Sequence, residues 1–192
     1  AFRSIAEAPD IDYIKGTLIV ALSESVSRAA SGQHLQLTNQ TCSDVEAFYV
    51  NVAVNKTGAL LALPLQFASL FNRQDATGAL AARRCGEQLG LAYQILDDLK
   101  PYAMPSKLAD DEDMQNRVIT APVAACSMLF PHVDPFQTLI KKTDMRDKAT
   151  LECQRWLDTA VANARYETTF LDQAVARVVE QFIGQRLSQK LA

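Results

Sequence analysis

The chain has 192 residues, 48% of them hydrophobic and 21% charged, with a formal net charge of −3, enough to bury a substantial core as a soluble domain. A balance this close to neutral, without a basic stripe, gives no electrostatic footprint for nucleic acid, and no stretch reaches the roughly 20 apolar residues of a membrane span. The 4 cysteines are scattered and the histidines number only 2, which predicts free thiols in a reducing, cytoplasmic compartment rather than disulfides or a zinc site. The opening AFRSIAEAPD has neither a methionine nor a signal pattern and reads like the interior of a longer protein.

From Ile11 the apolar positions Ile11, Ile14, Leu18, Leu22, Val26 and Ala29 recur every three or four residues, which predicts a helix ending near Asn39. A second helix is expected from TCSDVE, with Ser43 as its cap and Glu46 completing a capping box. It should run to Phe71, bent at Pro64, because proline lacks the amide donor. A third helix is predicted from about Asp75 to Leu99. Residues 101–116, PYAMPSKLADDEDMQN, hold prolines and a cluster of acids and read as a mobile loop. RVITAPVAACSMLF is expected as a short apolar helix, started or interrupted near Pro122, and two or three amphipathic helices follow from about Asp134. The fold class is all-α: one domain over residues 1–192, built as a bundle of long helices.

On the third helix Gln94, Asp97 and Asp98 share a face, while Leu91, Ile95 and Leu99 pack inward. Adjacent carboxylates raise each other's proton affinity, and at a helix C-terminus they also oppose the dipole. A divalent cation such as magnesium, bridging to phosphate oxygens, relieves both; a solvated helix end is the other reading. Lys56 lies beside Thr57 in the apolar second helix, where it either snorkels to solvent or offers its charge to a phosphate. Gln33 and Gln36, among Ala29, Ala30 and Gly32, are either surface positions or buried groups that need partners. His34 reads as a surface or packed histidine, Trp156 as core, and Asp110–Asp113 as a solvated loop or a lid.

In order along the chain, GQHLQL, NKTGALLALPLQFASL, GEQLGLAYQILDDL, then SK, an acidic stretch and NRVITAPV together resemble the trans-polyprenyl diphosphate synthases. The resemblance implies an isoprenoid-synthase-like helical bundle around an apolar cavity, with Mg2+ held by two DDxxD motifs on the diphosphate of an allylic substrate. Loss of diphosphate leaves an allylic cation; the double bond of isopentenyl diphosphate attacks it, and a proton is lost. Mapped onto this sequence, Asp97 and Asp98 would hold the metal and, with Lys56, carry catalysis. Lys56, Thr57, Gln94, Lys107 and Arg117 would bind substrate diphosphate. Gln33, Gln36 and Tyr93 would line the substrate cavity, and Asp111 would lie near the loop's usual aspartate. The resemblance also implies a homodimer or a subunit of a heteromeric synthase.

The sequence departs from that pattern. Pro101, after Lys100, stands where the third aspartate of the second motif belongs, and Ser106 replaces the loop glycine. A first DDxxD and an isopentenyl diphosphate site, which precede GQxxxL in the family, are not found. The chain therefore resembles roughly the C-terminal two-thirds of a synthase, and is expected not to elongate prenyl diphosphates by itself. A non-catalytic or regulatory subunit, or a terpene cyclase on the same scaffold, are the other readings.

Overall fold

The computed structural model describes residues 1–9, 11–38, 44–72 and 76–187. A short α1 (Phe2–Glu7) precedes the long α2 (Lys15–Thr38). Helix α3 (Val45–Ala53) widens into a π turn (Val54–Gly58) and continues as α4 (Ala59–Phe71), followed by α5 (Ala76–Leu99). Two 3-10 turns (Lys100–Ala103 and Pro105–Asp110) and α6 (Glu112–Gln115) lead to α7 (Ala121–Leu129) and α8 (Pro135–Lys141). Helices α9 (Thr143–Thr168) and α10 (Gln173–Phe182) follow, the latter ending in a second π turn (Ile183–Leu187). Among the described residues there is no strand, so the all-α class holds.

Helix α5 is the hub, packed against α4, α9 and the first π turn. It can serve three neighbours because its inward positions are small: Ala82, Cys85, Gly86, Gly90 and Ala92 are all buried, and small side chains let helix axes approach closely. Helix α9 answers with Ala149, Cys153, Leu157, Ala160 and Ala164, a stripe at helical spacing. The Cys85 thiol donates to the Ala164 carbonyl at 3.5 Å. A smaller cluster of Ile5, Ile14, Leu18 and Leu22 seats α1 and the start of α2 against Leu63, Phe67 and Leu70 of α4.

Several boundaries differ from expectation for local reasons. The apolar stripe of α2 holds only as far as Leu22; Val26 is 49% exposed, and Ser25 and Gly32 face inward instead, because a 3.6-residue repeat drifts off a strict four-residue stripe. The expected cap Ser43 lies outside the described residues; Asp44 caps α3, its carboxylate accepting from the Ala47 amide at 3.0 Å. Helix α4 continues through Pro64, and the distortion sits earlier, at the π turn. The segment expected as a mobile loop is a chain of short helical turns anchored by buried Leu108 and Met114. Of the two roles expected for Pro122, the structure shows the first, a place at the start of α7, since the first turn of a helix tolerates a missing amide. Trp156 is half-buried and stacks on Tyr49 at 6.3 Å between ring centroids.

Candidate functional site

The site grows from the place where three helices cross with almost no side chain between them. A Cβ on Gly32 of α2 would lie 2.5 Å from the Lys56 nitrogen, and one on Gly90 of α5 would lie 2.3 Å from the Gly58 Cα. A Cβ on Gly86 would meet the Ala62 Cα at 2.2 Å. These glycines let α2 and α5 close on the π turn from two directions. The turn thereby delivers Lys56 and Thr57 to one end of the bundle, beside the C-terminal end of α5.

There a cavity of about 800 Å³ opens, lined by Gln33, Gln36, Lys56, Gln94, Asp97, Asp98 and Tyr102, and across from them by Asp111, Glu112 and Asp113. Its polar side chains are chained together. Lys56 Nζ donates to Gln36 Oε1 at 2.8 Å. Thr57 Oγ1 donates to Gln94 Oε1 at 2.8 Å, and Gln94 Nε2 donates to Asp98 Oδ1 at 2.8 Å. The other oxygen of Asp98 accepts the Ala121 amide at 2.8 Å. Asp98 therefore caps the first turn of α7, where a helix leaves amides without partners and favours negative charge.

Burial pushes the Asp98 carboxyl up to about 6, against the hydrogen bonds from Ala121 and Gln94, which favour the charged form. The buried Tyr49 hydroxyl lies beside the same carboxyl, yet neither it nor the Tyr102 hydroxyl has a well-formed hydrogen bond. Asp97, one position back, is half-exposed and pairs with Lys100. That contact raises the Lys100 ammonium above its ordinary range. Burial first, then neighbouring Asp111, raises the Asp113 carboxyl as well.

A second cavity of about 730 Å³ shares Gln33 and Lys56 with the first. Its other walls are mostly apolar: Ala29, Leu60, Leu61, Tyr93 and Phe182, with Thr57 and Arg186. The two cavities together offer a polar chamber for a charged head and an apolar one for hydrocarbon.

Most residues expected at the site converge. Gln33, Gln36, Lys56, Gln94, Asp97 and Asp98 line the first cavity, and Thr57 and Tyr93 the second. Two do not. Lys107 is exposed and lines neither cavity. Arg117, although its neighbours Asn116 and Val118 line the first cavity, itself lines neither: it pairs with Asp134 through two contacts of 3.2 and 3.3 Å and lies 4.4 Å over the Phe136 ring. Its backbone is left-handed, at φ 54°, a conformation side chains disfavour, which turns the guanidinium toward α8. Sequence reasoning passed over Tyr49, Tyr102 and Arg186. Arg186 comes from the far end of the chain, whereas Tyr102, four residues after Asp98, and Tyr49, seven before Lys56, lie near the motifs with no polar pattern to mark them. Asp113 was visible only as one acid in a run.

Among the described residues no trio of histidine, cysteine or carboxylate side chains converges to hold a metal. The donor set does not make a cage for a free ion. Magnesium needs less when it arrives with phosphate, taking one or two carboxylates and completing its shell with phosphate oxygens and water. Asp97 and Asp98 suit that mode, and the orphaned Tyr102 hydroxyl in the same wall could serve a metal-bound water.

The polyprenyl synthetase family model matches residues 1–168. A solanesyl diphosphate synthase 3 of Arabidopsis thaliana, chloroplastic/mitochondrial by its name, is 26% identical over 144 residues, covering 72% of this chain and 34% of that protein. The chain thus spans about a third of the length of that relative. Among solved structures, a decaprenyl diphosphate synthase from Rhodobacter capsulatus superposes with a TM-score of 0.73 at 20% identity, covering 90% of this chain and 59% of that one. A geranylgeranyl pyrophosphate synthetase from Geoglobus acetivorans gives 0.80 at 14% identity, over 98% of this chain and 62% of the other. At such identities the likeness speaks for the fold.

Proposed function

We propose, because this chain belongs to the polyprenyl synthetase family, that it forms the diphosphate-binding wall of a prenyltransferase site that joins an allylic prenyl diphosphate to isopentenyl diphosphate. The observation that carries this reading is the hydrogen-bonded row Thr57–Gln94–Asp98 beside Lys56, at the junction of a polar and an apolar cavity. In the proposed reaction the allylic C–O bond breaks, diphosphate leaves, the isopentenyl double bond forms the new C–C bond, and a proton departs. Lys56 places an ammonium on the leaving diphosphate, where charge develops. Thr57 and Gln94 fix the Asp98 carboxylate, and Leu60, Leu61 and Tyr93 offer the hydrocarbon an apolar wall. Mg2+ bound with the diphosphate would supply Lewis-acid stabilisation of the leaving group, held by Asp97 and Asp98.

One observation favours a second reading, a non-catalytic subunit of a heteromeric synthase. Lys100 occupies Asp97, and Pro101 lines the cavity where the pattern calls for a third carboxylate. As a homodimer or such a subunit, the chain would complete its chemistry with a partner. No helix among the described residues is long and apolar enough to cross a membrane, and a reducing compartment such as the cytoplasm suits the buried thiols of Cys85, Cys126 and Cys153.

The test is calorimetric titration of the chain with inorganic diphosphate in excess magnesium. Saturable binding by the wild type, weakened about tenfold or more in Lys56→Gln, is the expected result, since hydrogen bonds to charged groups contribute roughly 1.5–3 kcal/mol. Absence of wild-type binding overturns the reading. With labelled isopentenyl diphosphate and an allylic primer, the chain alone should yield no elongated product; a cyclic hydrocarbon instead would point to a terpene cyclase.

A further inference from the structure

Lys56 stands on a π turn, a rare widened helical turn that frequently occurs at functional sites. The widening is evident from the Ala59 amide, which reaches back to the Val54 carbonyl. Within this turn the neighbours Asn55 and Lys56 look opposite ways. Lys56 lines both cavities, whereas Asn55 lines a separate shallow groove of about 550 Å³ with Arg28 and Asn51.

On that far side the turn is gripped. Arg28 Nε donates to Asn55 Oδ1 at 2.9 Å, and its Nη1 donates to Glu87 Oε1 at 2.7 Å. Arg83 steadies the same Glu87 oxygen at 3.0 Å. Asn55 Nδ2 in turn donates to the Asn51 carbonyl at 2.9 Å and to Asn51 Oδ1 at 2.8 Å. A part-buried arginine thus ties α2, the turn and α5 together at one side chain. One helical turn further along α2, on the same face, Gly32 abuts the Lys56 backbone. The two contacts clamp the turn from one helix.

We infer that Arg28 and Asn55 are positioning residues, which hold the π turn in register and thereby aim the Lys56 ammonium at the diphosphate. This rests on the diphosphate-binding reading above. Neither residue lines the cavities, so neither contacts the ligand. Their effect must pass through the backbone of the turn, and a charge-assisted contact displaced by a fraction of its length loses much of its strength.

The experiment is a double-mutant cycle on the binding of inorganic diphosphate in excess magnesium, with Asn55→Ala and Arg28→Met each made in the wild type and in Lys56→Gln. In the wild-type background each should weaken binding about tenfold, as loss of a hydrogen bond to a charged group does. In the Lys56→Gln background each should weaken it no further. Should Asn55→Ala not fold, Arg28→Met, on another helix, carries the test. Unchanged affinity of the variants, in a wild type that binds and a Lys56→Gln that binds more weakly, overturns this inference alone. An equal loss in both backgrounds also overturns it, because the effect then does not run through Lys56. A wild type that binds no diphosphate overturns the function and this inference together.

Discussion

Replacing Asp98 by asparagine removes a charge that the folded chain holds against its environment. The carboxyl stands at about 6 when folded and at 3.8 when free; at 1.36 kcal/mol for each pKa unit, the gap corresponds to about 3 kcal/mol. The sign follows from which state binds the proton more tightly. Because the folded value is raised, protonated Asp98 favours the native state; this contribution is complete below about pH 4 and lost as pH rises through about 6. Asparagine does not titrate, yet its oxygen can still accept the Ala121 amide that Asp98 caps. Urea unfolding of both proteins from pH 4 to 8 should therefore show the stability difference swinging by about 3 kcal/mol in favour of Asp98→Asn as pH rises. Other titrating groups, Asp113 among them, occur in both proteins and cancel in the difference. Magnesium and diphosphate should shrink the swing, since a cation favours the carboxylate. Parallel pH profiles for the two proteins would refute the account of Asp98 as a buried, burial-raised acid.

Lys100→Ala should cost little stability, since exposed ion pairs contribute about 0–1 kcal/mol. By freeing Asp97 it should tighten magnesium-dependent diphosphate binding, which calorimetry at fixed magnesium measures. Gly90→Ala and Gly32→Ala place a Cβ 2.3 and 2.5 Å from backbone of the π turn. Each should destabilise by about 1–3 kcal/mol or more in urea titrations and weaken diphosphate binding. Gly16→Ala, with nothing within 4 Å, is the matched control and should be neutral or mildly stabilising. Burial pushes the Cys85 thiol up to about 12 and the Cys126 thiol up to about 11. Iodoacetamide at pH 8 should leave both unlabelled in the native protein and label both in urea, as read by peptide mass spectrometry.

The fold class was legible because helices announce themselves locally. Ile14, Leu18 and Leu22 recur at helical spacing and are buried together, and α9 carries its stripe from Ala149 to Ala164 unbroken. What failed was local detail set by competing partners. Asp44 caps α3, and Ser25 replaces Val26 on the inner face of α2. Leu108 and Met114 anchor a segment whose prolines and acids suggested a loop. Much of the candidate site is legible too, in that Lys56, Thr57, Gln94, Asp97 and Asp98, which the sequence marks, all reach the cavities. Lys107 and Arg117 were not separable from them by sequence, because a motif position does not reveal that Asp134 and Phe136 hold the Arg117 guanidinium elsewhere.

By itself, then, the sequence determined the helices and the residue types of the site, since periodicity, small inward residues and adjacent carboxylates act over a few neighbouring positions. Tertiary structure alone decided what those residues do to one another. It turned Asp98 into the cap of α7, 23 residues further along the chain. It also brought Gly32 and Gly90 against the backbone of the π turn that carries Lys56. Those outcomes depend on contacts between helices far apart in the chain, and the energy of such a contact is fixed by geometry that no local pattern encodes.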